Sequence, residues 1–159
     1  MCVLPGTTLG GSPWPMLATA GRSGDLAALD LRMLGGDGAA AVVWRAGRDA
    51  HGHAAAVKSL AVMRPPAERR RVDGVGSVLV SGCKDGDVRA WSARAGRHLQ
   101  HVRAAHERHT FIAPRGGGRN VLQVGVSKIV ALEGGALTCG GDGTVKLFRL
   151  APDAFRLAA

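Results

Sequence analysis

The sequence predicts an all-β chain made of short antiparallel strands, and three observations support that prediction. Glycine supplies 24 of the 159 residues, without the period of three that a collagen helix requires. Three segments repeat one layout, in which a short apolar run, a tight polar turn and a second apolar run follow one another. Two of those turns contain Asp-Gly, and this pair between apolar runs is a strong signal for a β-hairpin. A series of hairpins is therefore expected.

Five segments carry this prediction along the chain. Each hairpin turn contains a glycine, which tolerates the positive φ that tight hairpin turns require. The hairpins are expected at 17–30, 79–92 and 137–149, with their turns at 22–24, 84–86 and 141–143. One further strand is expected at 56–62, upstream of the second hairpin, and another at 121–126, upstream of the third.

The second unit carries polar residues in a distinctive order. Gly52 and His53 precede one strand, Ser81 lies in the next, Asp85 begins the turn, and Trp91 lies in the strand that follows. This order resembles the WD40 repeat of β-propellers. The resemblance implies an all-β fold of four-stranded blades, each held together by side-chain hydrogen bonds.

The resemblance also implies which residues form those hydrogen-bonded networks inside the blades. A buried histidine and a buried indole both need partners, because an unpaired buried polar group costs about 1 to 3 kcal/mol. The second network is assigned to His53, Ser81, Asp85 and Trp91, and the third to His106, Thr138 and Asp142. Phe148 stands where the third unit would carry tryptophan. The implied role of these residues is structural rather than catalytic.

The spacing of the repeats sets the expected domain organisation. The equivalent turn positions lie farther apart than the roughly 40 to 45 residues of a WD40 unit, so inserted loops are expected at 35–51 and 64–76. About three blades are predicted, over residues 16–50, 51–103 and 104–150, with tails at 1–15 and 151–159. Propellers usually close with four to eight blades, which predicts a partial propeller from a larger one.

The C-terminal part of the sequence carries a further resemblance. His106 is followed by Arg108, Phe111, a glycine-rich step at 116–118 and a Cys-Gly-Gly-Asp-Gly-Thr turn at 139–144. This order is similar to the last repeats of the DmX-like family, also called rabconnectin-three alpha. Its members are large cytoplasmic scaffolds, and the yeast counterpart belongs to the complex that reassembles the vacuolar proton-pumping ATPase. The resemblance implies a regulator of V-ATPase assembly that is cytoplasmic or reaches endomembranes through protein partners, V-ATPase subunits among them.

The charge balance indicates an anionic partner. Lys and Arg total 21 against 12 acidic residues, giving a formal charge of +9. A loop with Arg64, Arg69, Arg70 and Arg71 is the predicted contact surface for an acidic protein. It has no interleaved aromatic residues on which nucleic-acid bases could stack, which argues against nucleic acid. An unrelated WD40 adaptor with an acidic protein or RNA partner remains the first alternative function.

The remaining patterns argue against catalysis, metals and cofactors. His53, Ser81 and Asp85 are the residue types of a hydrolase triad, which leaves a small serine hydrolase as a second alternative, but Ser81 lacks the Gly-x-Ser-x-Gly surroundings of a nucleophile elbow. His98 and His101, like His106 and His109, have no carboxylate or cysteine pair to complete a metal site. The glycine-rich stretches match no phosphate-binding motif. We predict no enzyme activity, no cofactor, no metal and no small-molecule substrate.

Cysteine and hydropathy patterns bear on the compartment. The three cysteines, Cys2, Cys83 and Cys139, include no close pair, so neither a disulfide framework nor a Cys-x-x-Cys zinc site is predicted. A reducing compartment such as the cytoplasm is expected. No apolar run approaches the roughly 18 residues that a membrane span needs, and the first 15 residues lack the positively charged start of a secretory signal.

Overall fold

The computed structural model describes residues 2–9, 12–33, 35, 41–47, 51–64, 76–115, 118–150 and 157–158. These residues form fourteen β-strands and one short 3-10 turn at Leu31–Met33. The strands are β1 Cys2–Leu9, β2 Ser12–Ala20, β3 Leu26–Asp30, β4 Val42–Ala46, β5 Val57–Met63, β6 Val78–Cys83, β7 Val88–Ser92, β8 His98–Val102, β9 His109–Arg115, β10 Gly118–Val124, β11 Val126–Leu132, β12 Gly135–Gly140, β13 Val145–Leu150 and β14 Leu157–Ala158.

The strands form three four-stranded antiparallel sheets in chain order. Sheet 1 contains β1 to β4, sheet 2 contains β5 to β8, and sheet 3 contains β11 to β14. A separate two-stranded hairpin, β9 and β10, lies in the chain between sheets 2 and 3. The described strands form no closed barrel. The predicted all-β fold, a partial propeller of about three four-stranded units, is confirmed.

Tight turns containing glycine produce the three predicted hairpins, β2–β3, β6–β7 and β12–β13. Gly24, Gly86 and Gly143 have φ values of 92°, 90° and 72°. Each glycine also donates its backbone N–H to the carbonyl three residues earlier, at 3.1 to 3.3 Å. Because only glycine adopts this conformation without steric cost, each of these turns depends on its glycine.

The predicted strand at 56–62 is present as β5. A strand also covers most of the predicted 121–126, but it does not belong to the sheet of the third hairpin. Its residues fall mainly in β10, which pairs with β9 rather than with sheet 3. The first strand of sheet 3 is β11, which reaches β12 through a two-residue turn at Glu133 and Gly134. Gly134 has a φ of 71°, so a Glu-Gly pair forms a hairpin turn of the kind that Asp-Gly pairs form elsewhere in the chain.

Three segments predicted as loops or tails contain strands. β1 lies within 1–15 and pairs with β2, β14 lies within 151–159 and pairs with β13, and β4 lies within 35–51. β1 is an edge strand, where the missing N–H of Pro5 removes no hydrogen bond from a central ladder. Of the insertion predicted at 64–76, residues 65–75 lie outside the described residues.

The three sheets stack face to face, and sheet 2 is covered on both sides. Along β6 every residue is buried, which is the pattern of a central strand between two packed faces. One face of sheet 2 packs on sheet 1 in a core of Met16, Ala18, Leu26, Ala28, Leu79 and Trp91. The other face packs on sheet 3 in a core of Val78, Val80, Val88, Ala90, Val126, Ile129 and Phe148. Neighbouring residues along the strand thus serve different interfaces, because side chains alternate between faces.

The two Asp-Gly turns differ in what surrounds their glycines, which gives a first test of the packing. A methyl group on Gly86 would collide with the carbonyl oxygen of His106, whereas nothing lies within 4 Å of the corresponding point at Gly143. Gly143→Ala should therefore lower the free energy of unfolding by about 1 kcal/mol, the cost of a left-handed alanine. Gly86→Ala should cost at least about twice as much, because the His106 backbone must also move.

Urea denaturation of the two variants and the parent chain measures this difference directly. The turns share the Asp-Gly sequence, so Gly143→Ala controls for the backbone conformation alone. Equal losses in the two variants would contradict the packing of the His106 segment on the β6–β7 turn.

Candidate functional site

Polar residues of the second unit meet in the core between sheets 1 and 2. The Nε2 atom of His53 lies 2.7 Å from the Ser81 hydroxyl oxygen. Trp91 donates its indole N–H to the same oxygen at 2.8 Å. All three side chains are fully buried. The Ser81 hydroxyl thus joins two rings that would otherwise leave polar nitrogens unpaired in the core.

The backbone around His53 connects the sheets. The His53 N–H donates to the Gly24 carbonyl in the β2–β3 turn at 3.0 Å. The His106 N–H donates to the Gly86 carbonyl in the β6–β7 turn, also at 3.0 Å. Each histidine therefore fastens the start of one unit to the hairpin turn of the unit before it, and this contact repeats along the stack.

The third unit has a more extensive network around His106. The Nε2 atom of His106 lies 2.8 Å from the Thr138 hydroxyl, and its Nδ1 atom lies 3.0 Å from the Asp142 carboxylate. Asp142 also accepts hydrogen bonds from the backbone N–H groups of Glu107 and Thr144, at 3.1 and 3.0 Å. The Thr144 hydroxyl donates to the same carboxylate at 2.9 Å. The His106 and Thr138 side chains are buried.

The hydrogen bonds to Asp142 outweigh the effect of its burial. Desolvation alone would raise the pKa of this carboxyl, but the donors from Thr144, His106 and Glu107 favour the charged form. Together they hold the pKa of Asp142 well below its usual range. Asp142 is consequently a carboxylate at neutral pH and an acceptor for four donors.

Asp85 does not join the network predicted for the second unit. Its carboxylate accepts a hydrogen bond from Arg108 at 3.2 Å, and its side chain is 30% exposed. The buried Nδ1 atom of His53 has no hydrogen-bond partner among the described residues. The assignment of Asp85 to the second network is thus corrected: the two Asp-Gly turns hold their aspartates in different settings.

The residue two positions after each aspartate explains this difference. In the third unit that residue is Thr144, which donates both its amide and its hydroxyl hydrogen to Asp142. In the second unit it is Asp87, whose carboxylate has no hydrogen to donate in place of the Thr144 hydroxyl. The difference between Asp-Gly-Asp in the second unit and Asp-Gly-Thr in the third is visible in the sequence, and it indicates that the two aspartates have different hydrogen-bond donors nearby.

Asp87 instead organises a group of basic side chains that sequence patterns did not bring together. It accepts a hydrogen bond from the Ala104 N–H at 2.9 Å, and its other carboxylate oxygen lies 2.6 Å from the His101 Nε2 atom. Although burial would raise the pKa of Asp87, these partners keep it below the ordinary value. His101 is therefore held by a carboxylate that immediately precedes the neighbouring strand β7.

His98 fills the space between the rings of this group. Its ring stacks on His51 with centroids 5.0 Å apart and meets the edge of Trp91 at 5.2 Å. Burial, followed by the charge of His51, lowers the pKa of His98. The described part of the chain holds no cluster of three or more His, Cys, Asp or Glu residues arranged to bind a metal ion.

The predicted basic contact loop is described only at its start. Arg64 is exposed, and its carbonyl accepts a hydrogen bond from the Gly134 N–H at 3.4 Å. Arg69, Arg70 and Arg71 lie outside the described residues, so their role stays a prediction. The same holds for the side chain of Phe111 and for Gly116 and Gly117, which belong to the C-terminal resemblance.

No protein-family model and no curated protein matches the chain. Solved structures with a similar fold include the computationally designed Ika4 protein, with a TM-score of 0.53 and 16% identity over 86% of this chain. They also include a chain of Chaetomium thermophilum Polycomb Repressive Complex 2 bound to GSK126, with a TM-score of 0.56 and 14% identity over 95% of this chain. The chain spans 61% of the first protein's length and 30% of the second's.

The polycomb subunit is a WD40-like propeller protein, so the comparison supports the fold predicted from the repeats. At these identities the likeness concerns the fold alone. Among the described residues, no helix has the length and apolar character to cross a membrane.

Proposed function

We propose that this chain is a non-catalytic scaffold of the WD40 type that binds other proteins through its loops. The observation that supports the proposal is that the polar residues of the blade networks are buried and hydrogen-bonded inside the fold. Ser81, Thr138, His53 and His106 are buried and bonded to one another or to the turns of neighbouring units. Because these side chains are buried and hydrogen-bonded, they stabilise a rigid fold and cannot contact a partner. The loops at the sheet ends are therefore the expected contact surface for partners.

The hydrolase alternative lacks support from the geometry of the second unit. A serine nucleophile needs an accessible hydroxyl and a base whose far nitrogen is oriented by a third group. The Ser81 hydroxyl is fully buried beneath Trp91, and the far nitrogen of His53 meets no described carboxylate. The arrangement favours a structural role for Ser81.

A role in assembling the vacuolar proton-pumping ATPase is the finer proposal. Its support is the order of residues from His106 to Thr144, which is similar to the last repeats of the DmX-like family. The expected partners are then V-ATPase subunits or other members of the assembly complex, met in the cytoplasm or at endomembranes. The basic loop at 64–71 favours an acidic surface on such a partner.

Capture of partners by the immobilised full chain from lysate tests this proposal. V-ATPase subunits should be retained, and the triple variant Arg69→Glu, Arg70→Glu, Arg71→Glu should retain at least about tenfold less, because opposite charges at the rim become like charges. The triple variant Arg94→Glu, Arg97→Glu, Arg103→Glu makes the same charge change at exposed positions outside the 64–71 segment and serves as the matched control.

Three results would argue against parts of the proposal. Equal losses in both triple variants would mean that total charge, rather than the basic loop, governs retention. Retention of other acidic proteins without V-ATPase subunits would favour the general WD40 adaptor. Turnover of an ester substrate that disappears in Ser81→Ala, with the fold intact by circular dichroism, would favour the hydrolase.

A further inference from the structure

Sheet 3 carries an apolar surface on the side turned away from sheet 2. Val130, Leu137 and Leu147 lie side by side across three strands, because Val130 pairs with Leu137 and Leu137 with Leu147. Val145 and Leu132 extend this row at either end of the face. These five residues are the open face of sheet 3. Val145 is 68% exposed and Val130 is 48% exposed, so this side of the sheet leaves large apolar side chains in contact with water.

The open face of sheet 3 corresponds, position by position, to a face that is buried in sheet 2. Counted from the aspartate of each turn, Leu137 matches Val80, Val145 matches Val88, and Leu147 matches Ala90. All three sheet 2 residues are fully buried, because sheet 3 packs on them. The open face therefore has the construction of a surface that another sheet of the same type covers.

The chain itself contains a sheet with the matching surface. In sheet 2, Leu79 and Trp91 belong to the face that packs on the preceding sheet. Their counterparts in sheet 1 are Leu17 and Leu29, counted from Ser23, and both are only partly buried. No described sheet packs on that side of sheet 1, where Val43 is also exposed. We call Leu17, Leu29 and Val43 the open face of sheet 1.

We propose that two copies of this chain associate head to tail, with the open face of sheet 3 in one copy packed on the open face of sheet 1 in the other. The contact repeats the way sheet 3 packs on sheet 2 within one chain. It is heterologous, so it forms a closed ring only if the rotation between copies closes. Two copies supply six sheets, which is within the usual range of four to eight blades. A two-fold axis then relates the two contacts between the copies, so that each sheet 3 packs on the other copy's sheet 1.

This association is independent of the proposed partners, and it removes apolar surface from water in both copies. It must overcome repulsion between two chains that each carry a formal charge of +9. Salt screens that repulsion, since the Debye length falls to about 8 Å at 0.15 M ionic strength. The dimer should therefore be stronger at physiological salt than at low salt, the reverse of an association driven by charge.

Sedimentation velocity of the full chain at about 0.15 M ionic strength tests the proposal. The expected species has twice the 16.4 kDa mass of one chain. Leu147→Asp and Leu29→Asp each place a charge on one open face and should weaken the dimer by at least about 100-fold. Met33→Asp makes the same kind of change at an exposed residue outside both faces and should leave the dimer intact.

Mixing the two damaged variants provides the decisive measurement. The Leu147→Asp chain keeps an intact sheet 1, and the Leu29→Asp chain keeps an intact sheet 3, so the mixture can make one intact contact. It should therefore form an open dimer that neither variant forms alone, while the second contact, which carries both aspartates, stays apart. Complementation also proves that both variants are folded. A parent chain that stays monomeric, a dimer insensitive to either aspartate, or a mixture that stays monomeric would overturn the head-to-tail contact. A ladder of larger species in the parent chain would overturn the closed ring.

Discussion

Asp142→Ala should lower the free energy of unfolding by about 3 kcal/mol, whereas Asp85→Ala should lower it by less than about 1 kcal/mol. Asp142 accepts from the His106 ring, the Thr144 amide and hydroxyl, and the Glu107 amide. Removing its carboxylate leaves those donors unpaired around a buried ring. The Asp85 carboxylate has one hydrogen bond within the described part of the chain, to an exposed arginine, and water can replace that bond.

The two variants control for each other, because both replace the aspartate of an Asp-Gly turn by the same residue. Chemical denaturation at pH 7 gives the two losses, and the test is their difference. Asp142→Ala should also remove stability that the parent chain has above pH 4 and loses as Asp142 is protonated, since the folded-state pKa is lowered. Similar losses at the two positions would show that the turns are equivalent after all.

Sequence patterns predicted the hairpins well because the determinants of a hairpin are local. Each turn needs a glycine with positive φ between two apolar runs, and Gly24, Gly86 and Gly143 occupy that position. The repeated order of histidine and hydroxyl residue predicted a network in each unit. The structure places His53 beside Ser81 and His106 beside Thr138, partners that lie 28 and 32 residues away.

Other features depend on interactions that a repeat pattern does not contain. The Asp85 carboxylate is bonded to the exposed Arg108, a residue outside the repeated order of histidine, hydroxyl residue and aspartate. The turn at Glu133 and Gly134 is not predicted by the sequence patterns, because a Glu-Gly pair is not a hairpin signal. The strands β1 and β14 pair at sheet edges, where the hydrophobic alternation that identifies a strand is not required.

Burial makes His53 an acid-sensitive residue of the core. Burial, followed by the positive charge of Arg89, lowers the pKa of His53 from its ordinary 6.5 to about 3. The charge of Asp87 opposes this effect only in part, and no described residue bonds the Nδ1 atom of His53. The folded chain therefore holds His53 neutral where the unfolded chain binds a proton.

The expected result is a loss of stability on mild acidification. Well above pH 6.5 His53 is neutral in both states and contributes nothing to the pH dependence. Below pH 6.5 His53 binds a proton in the unfolded state but not in the folded state. The free energy of unfolding therefore falls by up to about 1.4 kcal/mol per pH unit until the folded-state pKa is reached. Between pH 7 and pH 5 the loss from His53 amounts to about 2 kcal/mol.

His53→Gln should abolish this part of the pH dependence, because glutamine can still bond the Ser81 hydroxyl and does not titrate. The measurement is the free energy of unfolding at several pH values between 5 and 7, for the parent and the variant. His98→Gln should remove a smaller part in the same direction, since burial also lowers the pKa of His98 and its ring is less buried. A parent slope unchanged in His53→Gln would mean that His53 is charged when folded, and a carboxylate would then have to reach its Nδ1 atom.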